Sequence, residues 1–140
     1  MKAKTLKILF ESWDSFRDRT KKELNVAAKG KNNFVQPDDV LVFDTVASYQ
    51  RLMSEQKYII LAAIKNLKPG SIYQLAKMVD RDFANVLKDC EILEGAGFIT
   101  LEDTGDNRKT KQPQLTFAYN AIEVHLPNMV YSHHLGKTAA

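Results

Sequence analysis

Three observations in the amino-acid sequence predict an α+β fold. The run Ser71 to Gly97 reads as two helices joined by a tight turn. Two strand-like segments follow it, 98–102 and 114–119, joined by a polar, cation-bearing link. Ahead of it lie two short β-rich segments, 5–10 and 40–43, and a helical run that opens at Ser54. Two helices around a turn, followed at once by a hairpin with a basic tip, make a winged helix-turn-helix. The sequence therefore predicts such a domain over residues 40–126, a strand–helix extension with its linker over 1–39, and a tail over 127–140.

From the N-terminus, Thr5–Phe10 is predicted as a strand and Glu11 to Lys29 as a helix, with Ser12 as its cap and Gly30 as its stop. Trp13, Phe16, Thr20, Leu24 and Ala27 mark one stripe of that helix, and Arg17, Arg19, Lys21 and Lys22 line the other side. Asp18 and Glu23 break the cationic face, so a helix packed on protein fits better than one lying on a membrane surface. Gly30 to Asp39 is a linker by its Gly, Asn-Asn, Pro and Asp-Asp content. Val40–Phe43 is expected to be a strand. Asp44 is expected to cap a helix through Met53, and Ser54 a helix to about Lys68, with Tyr58, Leu61, Ile64 and Leu67 facing the core.

In the central run, Ser71 caps the first helix, with Gln74 three residues on as a capping box requires. Ile72, Leu75, Ala76 and Val79 form its apolar face. Met78-Val79 are read as the turn and Asp80 as the cap of the second helix, which buries Phe83, Val86, Leu87, Cys90 and Leu93. On a helical wheel Arg81, Asn85 and Lys88 then fall together on the opposite side. Gly97 supplies a left-handed stop, and Phe98 folds back toward Leu93. Leu115, Phe117 and Tyr119 are expected on one face of the second wing strand, and Ile122, Val124 and Leu126 in one further strand.

These residues carry a family resemblance. The run SIYQLAKMVDRDFANVLKDCEILEGAGFI resembles the core of MarR-like winged-helix transcriptional regulators. It is closer still to small DNA-binding proteins proposed as antitoxins of bacterial and archaeal toxin–antitoxin pairs. Arg81, Asn85-Val86, Asp89, Leu93-Glu94 and Gly97 match that pattern, as do Arg51-Leu52, Ser71-Ile72 and Leu75-Ala76; Cys90 stands where Leu is expected. The resemblance covers roughly Asp44 to Leu126. It implies a DNA-binding repressor of its own operon, and the antitoxin role adds a toxin protein as partner.

The chemistry of the outer face suits double-stranded DNA. Arg pairs bidentately with guanine and Asn with adenine, so Arg81, Asn85 and Lys88 are the expected base readers. Arg108, Lys109 and Lys111 suit phosphate or minor-groove contacts. Ser71 and Tyr73, at the start of the first helix, complete the expected contact set. Asp82 and Asp89 limit how deeply the second helix can sit. A protein-interaction domain that uses the same fold without DNA is the rival class; lysines and arginines on a helix surface usually serve solubility alone. If a toxin partner exists, two regions are free to meet it, the N-terminal strand–helix and the tail; the tail residues Met129, Val130, Tyr131 and Leu135, with the strand before them, offer a surface of little charge and are expected to contribute more than the cationic side of the first helix. A homodimer is expected, with Thr5 to Lys29 building much of the contact.

Other chemistries are weak here. Asp103-Thr104-Gly105 spells the aspartic-protease triplet but lies in a polar hairpin tip, and one copy does not make a dyad. Asp80-Arg81-Asp82 resembles part of a kinase catalytic loop without its His or the glycine-rich loop. Cys90 sits on an apolar helix face, and His125, His133 and His134 have no metal-ligand spacing. No catalytic residue and no cofactor is expected. The composition is that of a globular domain, 44% hydrophobic and 26% charged, with a net charge of +3 that neither demands nor forbids nucleic acid. One cysteine permits no internal disulfide and fits a reducing cytoplasm. The apolar run Leu6 to Phe10 is too short to span a membrane.

Overall fold

Alternation of apolar and polar residues sets the first strand. In β1 (Thr5–Phe10) Leu6, Ile8 and Phe10 are buried while Thr5, Lys7 and Leu9 are half-buried. A computed structural model of the chain describes residues 4–12, 14, 15, 17, 18, 21, 39–103 and 111–127. It is α+β, with helices and two small sheets. β1 pairs in parallel with β2 (Val40–Phe43), Lys7 opposite Val40 and Phe10 opposite Phe43. The sheet order is β2-β1-β5, with β5 at Ala121–Val124. His125 donates its backbone N–H to Ile8 C=O at 2.9 Å. After β1, Asp14, Ser15, Arg17, Asp18 and Lys21 are helical, and the Ser12 hydroxyl accepts from Ser15 N–H at 3.2 Å, as its reading as a cap requires. Most of that expected helix, and the linker up to Pro37-Asp38, lie outside the described residues.

Contacts divide the chain into two units: residues 1–5 with 50–121, and 6–49 with 122–140. In the second unit Tyr49 meets the rings of Phe10 and Phe43 edge-on, at centroid distances of 6.1 and 5.2 Å. Tyr49 belongs to α1 (Val46–Leu52), which is capped by Thr45 and not by Asp44. The Thr45 hydroxyl accepts from Ser48 N–H at 3.1 Å, whereas Asp44 turns back onto Thr45 N–H.

The first unit is built on three capped helices. α2 (Glu55–Leu67) starts at Ser54, whose side chain accepts from Lys57 N–H, and ends on Lys68 in the left-handed region at φ 48°. Its buried face is Lys57, Ile60, Leu61, Ala63 and Ile64; Tyr58 and Leu67, expected in the core, are exposed. Both choices have helical spacing, and the sequence alone left the wheel about one position out. α3 (Ile72–Met78) is capped by Ser71 and buries Ile72, Leu75 and Ala76. α4 (Phe83–Ala96) buries Val86, Cys90 and Leu93. Gly97, at φ 94°, ends α4, and Phe98 N–H returns to Leu93 C=O at 2.9 Å, the bond that closes a Schellman cap.

Then β3 (Ile99–Glu102) pairs antiparallel with β4 (Gln112–Leu115). The second strand therefore starts two residues before the predicted Gln114 and stops well short of Tyr119. Pro113, read as a link residue, is a buried strand residue opposite Leu101. A two-stranded sheet has only edges, where a residue without an N–H is tolerated. The strand breaks because Ala118 N–H turns back to Leu115 C=O and Ala118 takes φ 55°. Phe117 is consequently in the turn, and Tyr119 alone is buried, its hydroxyl donating to Phe98 C=O at 2.9 Å. Among the described residues no helix is long and apolar enough to cross a membrane.

Candidate nucleic-acid interface

The α3–α4 pair depends on a turn that the sequence reading misassigned. Asp80 does not cap α4; it adopts φ 54°, a left-handed conformation that Asp tolerates better than most residues. The cap is Asp82, whose carboxylate accepts from Ala84 N–H at 3.1 Å. Asp80 N–H goes to Lys77 C=O and Arg81 N–H to Ala76 C=O, so the turn is closed by backbone bonds.

This moves Arg81. It lies before the first residue of α4, so a wheel drawn through it does not apply. Its guanidinium donates to Asp89 Oδ2 at 2.9 Å, and Lys57 Nζ lies 3.9 Å from Asp89 Oδ1. The side chains of Lys57, Asp89 and Arg81 are 11%, 15% and 24% exposed. One carboxylate thus ties α2, the turn and α4 together. Arg81, expected to share a face with Asn85 and Lys88, commits its guanidinium to Asp89. Asp89, expected to flank that face, is the anchor of the tie.

Asn85 and Lys88 are both exposed, one helical turn apart on the side of α4 opposite Val86, Cys90 and Leu93. Tyr73 is 46% exposed, its ring 6.2 Å from that of Phe83 at the start of α4. Lys77 Nζ lies 4.5 Å from the centroid of the Tyr73 ring. Lys77 went unremarked in the sequence, although its spacing of four from Tyr73 on a helix was the available signal. Lys57 was missed for a different reason: a lysine in the middle of an apolar helix face gives no local hint of its carboxylate partner.

Ser71 uses its hydroxyl internally, accepting from Gln74 N–H at 3.0 Å, while the Gln74 amide oxygen accepts from Gly70 N–H. Lys111 joins the hairpin to α3, its C=O accepting from Ile72 N–H at 3.0 Å. Its ammonium lies 3.9 Å from Asp103, which partly neutralises it. Arg108 and Lys109 lie outside the described residues, as do His133, His134 and the tail residues considered for a toxin.

Cys90 is buried on the inner side of α4. Burial, with Asp89 and Glu91 beside it, pushes its thiol up to about 12. At neutral pH it is a protonated packing residue and a poor nucleophile. His125 pairs with Glu123, and no group of three or more metal-ligating side chains occurs among the described residues.

No curated protein and no solved structure matches the chain. Residues 52–124 match the model of the family described as HVO_A0114, which covers more than half of the chain; the chain belongs to that family.

Proposed function

We propose that the chain is a sequence-specific DNA-binding transcriptional regulator of winged helix-turn-helix type, acting as a repressor of its own operon. One observation carries this reading. α4 buries one side and presents Asn85 and Lys88 on the other, with the exposed Tyr73 and Lys77 of α3 near its start. A helix placed in the major groove reads bases with its outward, N-terminal residues. Asn85 has the donor–acceptor pair that adenine requires, and Lys88 suits guanine or phosphate. Tyr73 and Lys77 suit sugar–phosphate contacts beside the groove. In this reading the hairpin β3–β4, tied to α3 through Lys111 C=O, serves as the wing. Arg81 has a different part in this reading: it holds the turn through Asp89 rather than touching bases.

The test is selection of bound duplexes from a random pool at low salt, followed by titration of the selected site. A defined motif should emerge, and Lys88→Ala should weaken binding by about 1–3 kcal/mol. A pool that shows no enrichment over several rounds would refute DNA reading and favour the protein-interaction class.

A further inference from the structure

We propose that the outer face of α2 is a homodimer surface, on which α2 of a second copy packs antiparallel across a two-fold axis. The inner side of α2 buries Lys57, Ile60, Leu61, Ala63 and Ile64. The opposite side is not purely polar. Tyr58 and Ile59 stand there 42% and 41% exposed, and Ala62 is exposed with them. At 3.6 residues per turn these three fall within about 100° of one another, on the side away from Ile64. Single exposed apolar side chains are ordinary, but a contiguous group rimmed by charge marks a protein contact.

The rim selects the occupant. Glu55 lies in the first turn of α2 and Lys65 in the last, both exposed at the ends of this face. Neither has an ion pair among the described residues. Ten residues along one helix separate them by about 15 Å, too far to pair with each other. A reversed second copy removes that separation. Under two-fold symmetry each Glu55 faces the second copy's Lys65, so the pair forms twice. In the same register Tyr58 lies over the second copy's Ala62, whose small side chain leaves room for a ring. Ile59 meets its own counterpart near the axis. The two helix dipoles run in opposite directions, which also favours this arrangement. The face is therefore complementary to itself when reversed, in charge and in shape.

Its size sets the strength. α2 has 13 residues and is about 20 Å long. One such helix per copy falls below the roughly 1,200–2,000 Å² of stable interfaces, so the dissociation constant should be on the order of 10 µM. This is a different surface from Thr5 to Lys29, where the sequence predicts the dimer contact. It does not rest on the DNA-binding reading.

Sedimentation equilibrium of the full chain from about 1 to 200 µM should show a monomer passing to a dimer. Ala62→Glu should leave a monomer over that range. Position 62 is exposed and Glu is a good helix former, so the variant should keep the wild-type amide spectrum elsewhere. Glu55→Lys and Lys65→Glu should each weaken the dimer about tenfold, because each sets like charges together at two places. The two combined should recover wild-type association to within about threefold. Reversal at Glu55 also loses a favourable place at the helix N-terminus, but the double variant keeps that loss, so recovery reports the contact alone.

A wild-type chain that stays monomeric throughout, or a dimer that tolerates Ala62→Glu, would overturn the surface. Single reversals without effect, or a double reversal that does not recover, would overturn the antiparallel pairing. Failure of the chain to bind any duplex would refute the proposed function and leave the dimer surface standing.

Discussion

Asp89 is the residue whose partners reach furthest, since it faces both Arg81 and Lys57 from α4. Its removal leaves two cations close together at sites between 11% and 24% exposed. Asp89→Ala is expected to cost about 2 kcal/mol of stability, by loss of charge-assisted bonds at a partly buried site. Arg81→Ala should cost less, because Asp89 retains Lys57. Urea unfolding measures both, and equal, near-zero changes would show that the tie contributes nothing. Cys90 makes a second prediction, in pH. Its folded-state value, about 12, lies above its ordinary value of 9.0, so the folded chain holds the proton that the unfolded chain gives up. The associated stability is complete below pH 9 and is lost as pH rises from 9.0 toward 12, with a slope of at most about 1.4 kcal/mol per pH unit. Burial also raises Tyr119 from 10.0, so its contribution begins to fall about one unit later. Cys90→Ala should therefore remove its part of the decline between pH 9 and 10 and make the decline above pH 10 shallower, with the Tyr119 part left. A decline unchanged in that variant would contradict the assignment.

At the scale of elements, local chemistry was legible and long-range pairing was not. Thr5–Phe10 and Val40–Phe43 were readable as strands from β-rich composition, and Ser54, Ser71 and Gly97 as caps from their side chains or lack of one. That β1 and β2 lie parallel was not readable, because the pairing is closed by a connection of nearly thirty residues. Asp80 and Asp82 are both plausible caps in sequence; only the left-handed φ of Asp80 decides for Asp82, and with it the position of Arg81. Pro113 argued against a strand, and the edge position that admits it is a property of the folded hairpin. For the candidate site, Asn85 and Lys88 were legible from periodicity, whereas the Arg81–Asp89–Lys57 tie needed contacts between separate elements. Ser71→Ala provides a test at this scale. Loss of the hydroxyl that accepts from Gln74 N–H should cost about 1 kcal/mol and reduce amide protection in the first turn of α3. Unaltered stability and exchange would show that the Gln74 side chain alone holds that end.

For the whole molecule, β1 is the middle strand of its sheet, flanked by β2 and β5. Its edges are therefore occupied within the chain, and the homodimer contact proposed for Thr5 to Lys29 would not use an edge of β1. Truncation before Asp38 would remove this middle strand as well as any dimer surface, so it would not separate the two effects. On the proposed DNA-binding reading, a two-fold assembly would let α4 of each copy read one of two half-sites a helical turn apart. Sequence reading by the outer face of α4 is the central claim, and the most direct measurement is a ratio. Affinities of the wild-type chain and of Asn85→Ala are determined for the selected duplex and for a scrambled duplex at several salt concentrations. The wild type should prefer the selected duplex, and Asn85→Ala should lose about 1–3 kcal/mol of that preference while keeping its scrambled-duplex affinity and salt slope. An Asn85→Ala chain that keeps the full preference, or a wild type that binds both duplexes equally at every salt concentration, would contradict the claim.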